Sequence, residues 1–99
     1  MPRTAAARSR GFRIFETDEF QKALGRLRPR PSLRDKLGSY VYPQLRQNPY
    51  FGPNIRKLLD YAPATWRYRI GSYRVFYSLD ENESIVFLLT IDDRKDAYR

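Results

Sequence analysis

The sequence predicts an α+β domain: an N-terminal strand and a helical hairpin packed on an antiparallel β-sheet. Three observations predict it. At 99 residues the chain has room for one core and no second domain. Apolar residues at helical spacing are confined to its first half, and runs rich in aromatic and β-branched residues to its second half. Helices followed by a meander of strands form a sheet with helices on one face.

Residues 1–10 carry Arg3, Arg8 and Arg10 among small residues and read as a flexible basic arm, with one domain over 11–99. Phe12-Arg13-Ile14-Phe15 reads as a short strand. Thr17 is placed to N-cap a helix, with Asp18 and Glu19 at the positive end of its dipole. Phe20, Ala23, Leu24 and Leu27 recur on one stripe, Gly25 weakens the helix, and Pro29 and Pro31 end it. Ser32 restarts a helix whose inner face carries Leu33, Leu37, Tyr40 and Val41, with a kink or restart expected at Pro43 and an end near Asn48-Pro49. Residues 50–63, interrupted by Gly52, Pro53 and Pro63, read as irregular, with Ile55, Leu58 and Leu59 forming one short apolar turn.

Trp66-Arg67-Tyr68-Arg69-Ile70-Gly71-Ser72-Tyr73-Arg74-Val75-Phe76-Tyr77 reads as a β-hairpin, its two-residue loop opening on Gly as a type II′ turn requires. That loop fixes the register: Ile70 faces Tyr73, Arg69 faces Arg74, Tyr68 faces Val75, Arg67 faces Phe76 and Trp66 faces Tyr77. Alternation then sends Arg67, Arg69 and Arg74 to one side and the aromatic set to the other. After a polar turn, residues 85–91 are apolar on both faces and read as the central strand, covered on both sides. The ending, Asp-Asp-Arg-Lys-Asp-Ala-Tyr-Arg, is a charged tail.

The composition narrows the chemistry. Nineteen Lys and Arg against eleven Asp and Glu give a net charge of +8, which favours a polyanionic partner. The absence of Cys excludes disulfides and thiolate chemistry, and the absence of His removes the usual general base and the commonest metal ligand. No apolar run approaches the roughly 20 residues needed to span a bilayer, and no signal-peptide pattern is present, so a cytoplasmic protein without membrane contact, metal or cofactor is expected.

Two arginines directly opposite across a hairpin repel. A phosphate lying over Arg67, Arg69 and Arg74 would resolve the repulsion, since the forked guanidinium suits that ligand. The alternative is that the three splay apart in solvent. The last strand delivers Arg94, Lys95 and Tyr98 near the same edge, where Tyr98 could stack on a base or simply pack on the sheet. RNA carries its own nucleophile, the 2′-hydroxyl, so orientation and charge stabilisation alone can promote its cleavage. A general base is not identified: Asp92, Asp93, Asp96, Lys57, Lys95 and Tyr98 remain open. Asp92 and Asp93 are expected in salt bridges with Arg94 and Lys95 rather than on Mg²⁺.

The hairpin at 66–77, the apolar strand 85–91 and the ending Asp93-Arg94-Lys95-Asp96-Ala97-Tyr98 resemble the RelE/ParE superfamily of bacterial type II toxins, as do Asn48-Pro49 and Ile55-Arg56-Lys57-Leu58. The resemblance covers residues 12–98. It implies an acidic cognate antitoxin as partner. For RelE-like members it implies an endoribonuclease acting on mRNA in the ribosomal A site, against ribosomal RNA, by 2′-hydroxyl attack on the adjacent phosphate to leave a cyclic phosphate. Carried over, the catalytic set is Arg67, Arg69, Arg74, Arg94 and Tyr98, and RNA contacts fall to Lys57, Lys95, Arg67 and Arg69. Ribosome-dependent relatives have Lys on the basic strand, one of them a proposed base, and many carry His where this chain has Asp93; the Arg94-to-Tyr98 spacing is also shorter. The alternative within the superfamily is a ParE-like toxin that poisons DNA gyrase without a nuclease site.

Overall fold

The computed structural model describes residues 11–28 and 31–97, the side chains of Asp96 and Ala97 excepted; the basic arm at 1–10 and Tyr98 lie outside the described residues. The elements are β1 (Arg13–Glu16), α1 (Asp18–Leu27), α2 (Pro31–Lys36), a π-helical turn (Leu37–Val41), α3 (Tyr42–Gln47), β2 (Ile55–Lys57), β3 (Trp66–Ile70), β4 (Tyr73–Asp80), β5 (Ile85–Asp93) and α4 (Arg94–Ala97). The five strands form one sheet in the order β1-β5-β4-β3-β2.

Thr17 begins α1 as expected, its Oγ1 accepting from the Phe20 N–H at 3.1 Å. The same hydroxyl donates to the Leu88 carbonyl of β5 at 2.7 Å, so the helix cap also fixes the helix to the sheet. Arg28 closes α1 in the left-handed region at φ 50°, its N–H donating to the Gly25 carbonyl at 3.1 Å as a helix C-cap. Segments α2, the π turn and α3 run on without a break. Pro43 has no N–H to donate one turn back, and its ring would crowd that carbonyl. The chain widens ahead of it instead of stopping, the Tyr42 N–H reaching back to the Leu37 carbonyl. This turn rotates the inner stripe: Leu33, Leu37, Val41 and Leu45 are buried, whereas Tyr40, expected inside, is 65% exposed.

The sheet is mixed rather than wholly antiparallel. β1 pairs parallel with β5, Ile14 opposite Val86 and Phe15 opposite Phe87, while the remaining pairs are antiparallel. Side-chain patterning specifies which strands pack, not their direction; β1 covers the edge that β5 would otherwise present to solvent. β5 therefore lies inside the sheet but not at its centre, which β4 occupies, and the helices cover only one of its faces. Val86, Leu88 and Ile91 are buried there, whereas Phe87 and Leu89 on the other strand positions are half-buried. A bulge makes this possible: Phe76 pairs with Thr90 but Tyr77 with Leu88, so Leu89 is an extra residue that changes the inward parity. The apolar turn expected near Ile55 is instead the edge strand β2, antiparallel to β3.

The core joins Phe20, Leu24, Leu37, Val41 and Leu45 of the helices to Trp66, Tyr68, Val75, Tyr77, Val86, Leu88 and Ile91 of the sheet. Each such apolar side chain contributes about 1.5–3 kcal/mol by leaving water. Buried phenols find partners between layers: the Tyr68 hydroxyl donates to Gln44 Oε1 at 2.8 Å and the Tyr77 hydroxyl to the Pro49 carbonyl at 2.7 Å. With one sheet face committed to the helices, the hairpin's other face is left open.

Candidate anion-binding site

The hairpin has the register read from its sequence, all five cross-strand pairs included. Gly71 takes φ +58° and Ser72 stays at negative φ, the combination of a type II′ turn. Arg67 and Arg69 of β3 and Arg74 of β4 accordingly leave the sheet on the open face, away from buried Trp66, Tyr68, Val75 and Tyr77. β2 adds a fourth guanidinium, because Arg56 sits directly opposite Arg67. Sequence patterning does not single out Arg56, because its segment reads as an apolar turn. The alternation of apolar Ile55 with Arg56, which matches Tyr68 and Arg67 in β3, is the signal that could have found it.

The arginines are not equivalent. Arg74 is gripped by Asp92, which faces it across β4 and β5: its Nε donates to Oδ1 at 2.9 Å and its Nη2 to Oδ2 at 2.8 Å. Its guanidinium also lies 5.7 Å from the centre of the Phe76 ring. Among the described residues the ion pair of Asp92 is with Arg74, and Asp93 accepts from the Lys95 backbone N–H at 3.0 Å at the start of α4. Arg56, Arg67 and Arg69 form no ion pair among the described residues. Arg67 Nε is buried without a hydrogen-bond partner among the described residues, an arrangement that normally costs about 1–3 kcal/mol or more. Burial first, and then the guanidiniums of Arg69, Arg56, Arg74 and Arg94, hold the Arg67 guanidinium below its ordinary value.

The remaining expected residues divide. Arg94 opens α4 beside the hairpin turn, its N–H donating to the Ser72 carbonyl at 2.7 Å, and its charge is felt at Arg67. Lys57 does not join the arginines. It is paired with Trp66 on the helix-bearing face, its Nζ 5.4 Å from the centre of the indole ring. Lys95 lines a recess of about 380 Å³ with Ser32, Lys36 and Tyr73, beside the turn rather than on the open face. The open face continues past Phe76 to Phe87, which meets Phe15 edge-on at 5.6 Å, so the cationic half adjoins an aromatic half. Such a surface can hold a chain of phosphates and stabilise negative charge developing at one of them.

Comparison with known proteins gives a family from one family model and a shared fold from solved structures. The model of the ParE toxin of the parDE type II toxin–antitoxin system matches residues 14–98. No curated protein sequence matches. Among solved structures, the RelBE2 toxin–antitoxin complex of Mycobacterium tuberculosis superimposes with a TM-score of 0.69 at 21% identity, over 85% of this chain and 99% of that one. The RelE–RelB complex of Pyrococcus horikoshii OT3 gives 0.67 at 21% identity, over 85% and 96%. A mutant of Escherichia coli toxin RelE in the free state gives 0.65 at 18% identity, over 89% and 88%. Helices on one face of a mixed sheet, a tight hairpin presenting arginines on the other, and a family match spanning most of the domain converge: the chain belongs to the RelE/ParE superfamily of type II toxin–antitoxin toxins.

Proposed function

We propose that this toxin is an endoribonuclease that cuts mRNA on the ribosome and so arrests translation in the cytoplasm. The observation that carries the reading is the open arginine face, in which Arg67 keeps a buried donor without an acceptor beside Arg56 and Arg69. A phosphodiester laid on that face meets the exposed Arg56 and Arg69 directly and gives Arg67 an acceptor once its side chain turns outward. The adjacent 2′-hydroxyl attacks the phosphorus, the P–O5′ bond breaks, and a 2′,3′-cyclic phosphate and a 5′-hydroxyl result. The arginines stabilise the extra charge of the pentacoordinate transition state and hold the attacking and leaving oxygens in line. Arg94, at the start of α4 beside the hairpin turn, is assigned to add its charge to the cationic set, and Tyr98 to stack on a neighbouring base. The nucleophile comes from the substrate, so the scheme calls for no cofactor. An acidic antitoxin, complementary to the net charge of +8, is the proposed neutralising partner.

A second reading, gyrase poisoning without a nuclease site, is supported by the family model being that of ParE and by the commitment of Asp92, a candidate base, to Arg74. One assay separates them. Ribosomes translating a defined transcript are incubated with the toxin and the transcript ends are mapped. Discrete cuts are expected, falling roughly 100-fold or more in Arg67→Ala, as for loss of one oxyanion donor. Intact transcripts together with gyrase-dependent DNA breaks would replace this reading with the second.

A further inference from the structure

We propose that Arg56, on edge strand β2, is a phosphate-binding residue, and that it, Arg67 and Arg69 form the seat of the ligand's backbone while Arg74 is a positioning residue held out of that seat by Asp92. The inference deepens the proposed ribonuclease reading, but the seat itself requires only that the ligand be a single-stranded nucleic acid.

Three observations support it. Arg56 and Arg67 are directly opposite on β2 and β3, so their side chains leave the same face next to each other. Arg69 follows Arg67 at the next position on that face, and both Arg56 and Arg69 are exposed. The three charges crowd together with no carboxylate partner among the described residues, around a buried Nε that lacks an acceptor. A sheet that placed like charges opposite one another without a ligand would be weakened by them. Arg74 also faces an arginine, Arg69, but it has a bidentate carboxylate and an aromatic ring beside it, and both draw it toward β4 and β5, away from β2. Arg56 accordingly weighs more heavily than Arg74 on the Arg67 guanidinium. The nucleic acid would therefore cross the β2–β3 edge rather than the centre of the hairpin.

The test is binding of a single-stranded RNA oligonucleotide to the full-length toxin as a function of salt. Arg56→Ala should weaken binding about tenfold and reduce the slope of log affinity against log salt by about 0.7, the loss of one phosphate contact. Arg56→Lys should keep the slope while losing part of the affinity, because charge survives and the fork does not. Arg34→Ala removes the same charge from exposed helix α2 and should leave the slope alone. The proposal is overturned if Arg56→Ala keeps the wild-type slope, or if Arg34→Ala lowers it equally. The two readings fail separately. A wild-type protein that never cuts transcripts, with the Arg56 effect intact, keeps the seat and removes the ribonuclease. Cutting by the wild type, with binding indifferent to Arg56, does the reverse.

Discussion

Arg74 illustrates how one residue can be placed correctly and still have a different role. Its position opposite Arg69 follows from the hairpin loop alone. Its partner does not, because Asp92 reaches it only after the bulge at Leu89 has shifted the register of β5. A bidentate guanidinium–carboxylate pair, with side chains 30% and 44% exposed, is screened by water and contributes about 0.5–1 kcal/mol. Asp92→Ala should therefore lower the urea midpoint only slightly, while removing a carboxylate from beside the arginine face. Binding of single-stranded RNA should then become tighter and more salt-dependent. Weaker binding in Asp92→Ala at an unchanged fold would show that the pair serves the ligand directly. A larger stability effect is expected at Tyr77, which is fully buried and donates to the buried Pro49 carbonyl. Tyr77→Phe leaves that acceptor unpaired at a cost of about 1–3 kcal/mol, read as a drop in thermal midpoint with the secondary structure retained.

Among the elements, legibility followed how local the determining interaction was. The hairpin was readable to the residue because a two-residue loop, a glycine and strict alternation all act within a dozen positions. α1 was readable for the same reason, from Thr17 to the proline after Arg28. The parallel docking of β1 on β5 joins residues 71 to 72 apart through Thr17, and no local pattern encodes its direction. β2 was missed because three residues bounded by turns carry too little periodicity to register, and with β2 went Arg56. Pro43 announced an irregularity, but the widened turn ahead of it, which sends Tyr40 to solvent, depends on how the helix packs. The hairpin loop offers a test of the local argument. Gly71 is at φ +58° with open space where a Cβ would project, so Gly71→Ala meets no neighbour and pays only for its backbone conformation. The expected loss is about 1 kcal/mol in urea unfolding; a neutral result would mean that the loop does not hold positive φ in solution.

Over the whole molecule, three phenols fasten parts that are distant in the chain. Tyr42 of α3 donates to Glu16 Oε2 at 2.6 Å, Tyr50 to Glu81 Oε2 at 2.7 Å beyond β4, and Tyr77 to Pro49 before β2. Burial, followed by the neighbouring carboxylate, pushes Tyr50 up to about 12 and Tyr42 higher. Tyr77 is pushed up by burial and then by Tyr68. All three must be protonated to donate, and ionised phenolate beside Glu16 or Glu81 would repel it. The sign of the pH dependence follows. In the unfolded chain these phenols release protons near pH 10; in the folded chain they keep them to higher pH. Above that point the native state binds more protons, so stability falls as pH rises. The contribution is complete below about pH 9 and is lost from about pH 10 upward, through the Tyr50 value near 12. Urea midpoints measured from neutral pH to pH 12 should show this decline. Tyr42→Phe should start lower at neutral pH, because Glu16 loses its donor, yet fall less steeply above pH 10. A variant that declines in parallel with the wild type would mean that the Tyr42–Glu16 link does not couple the helical layer to the sheet.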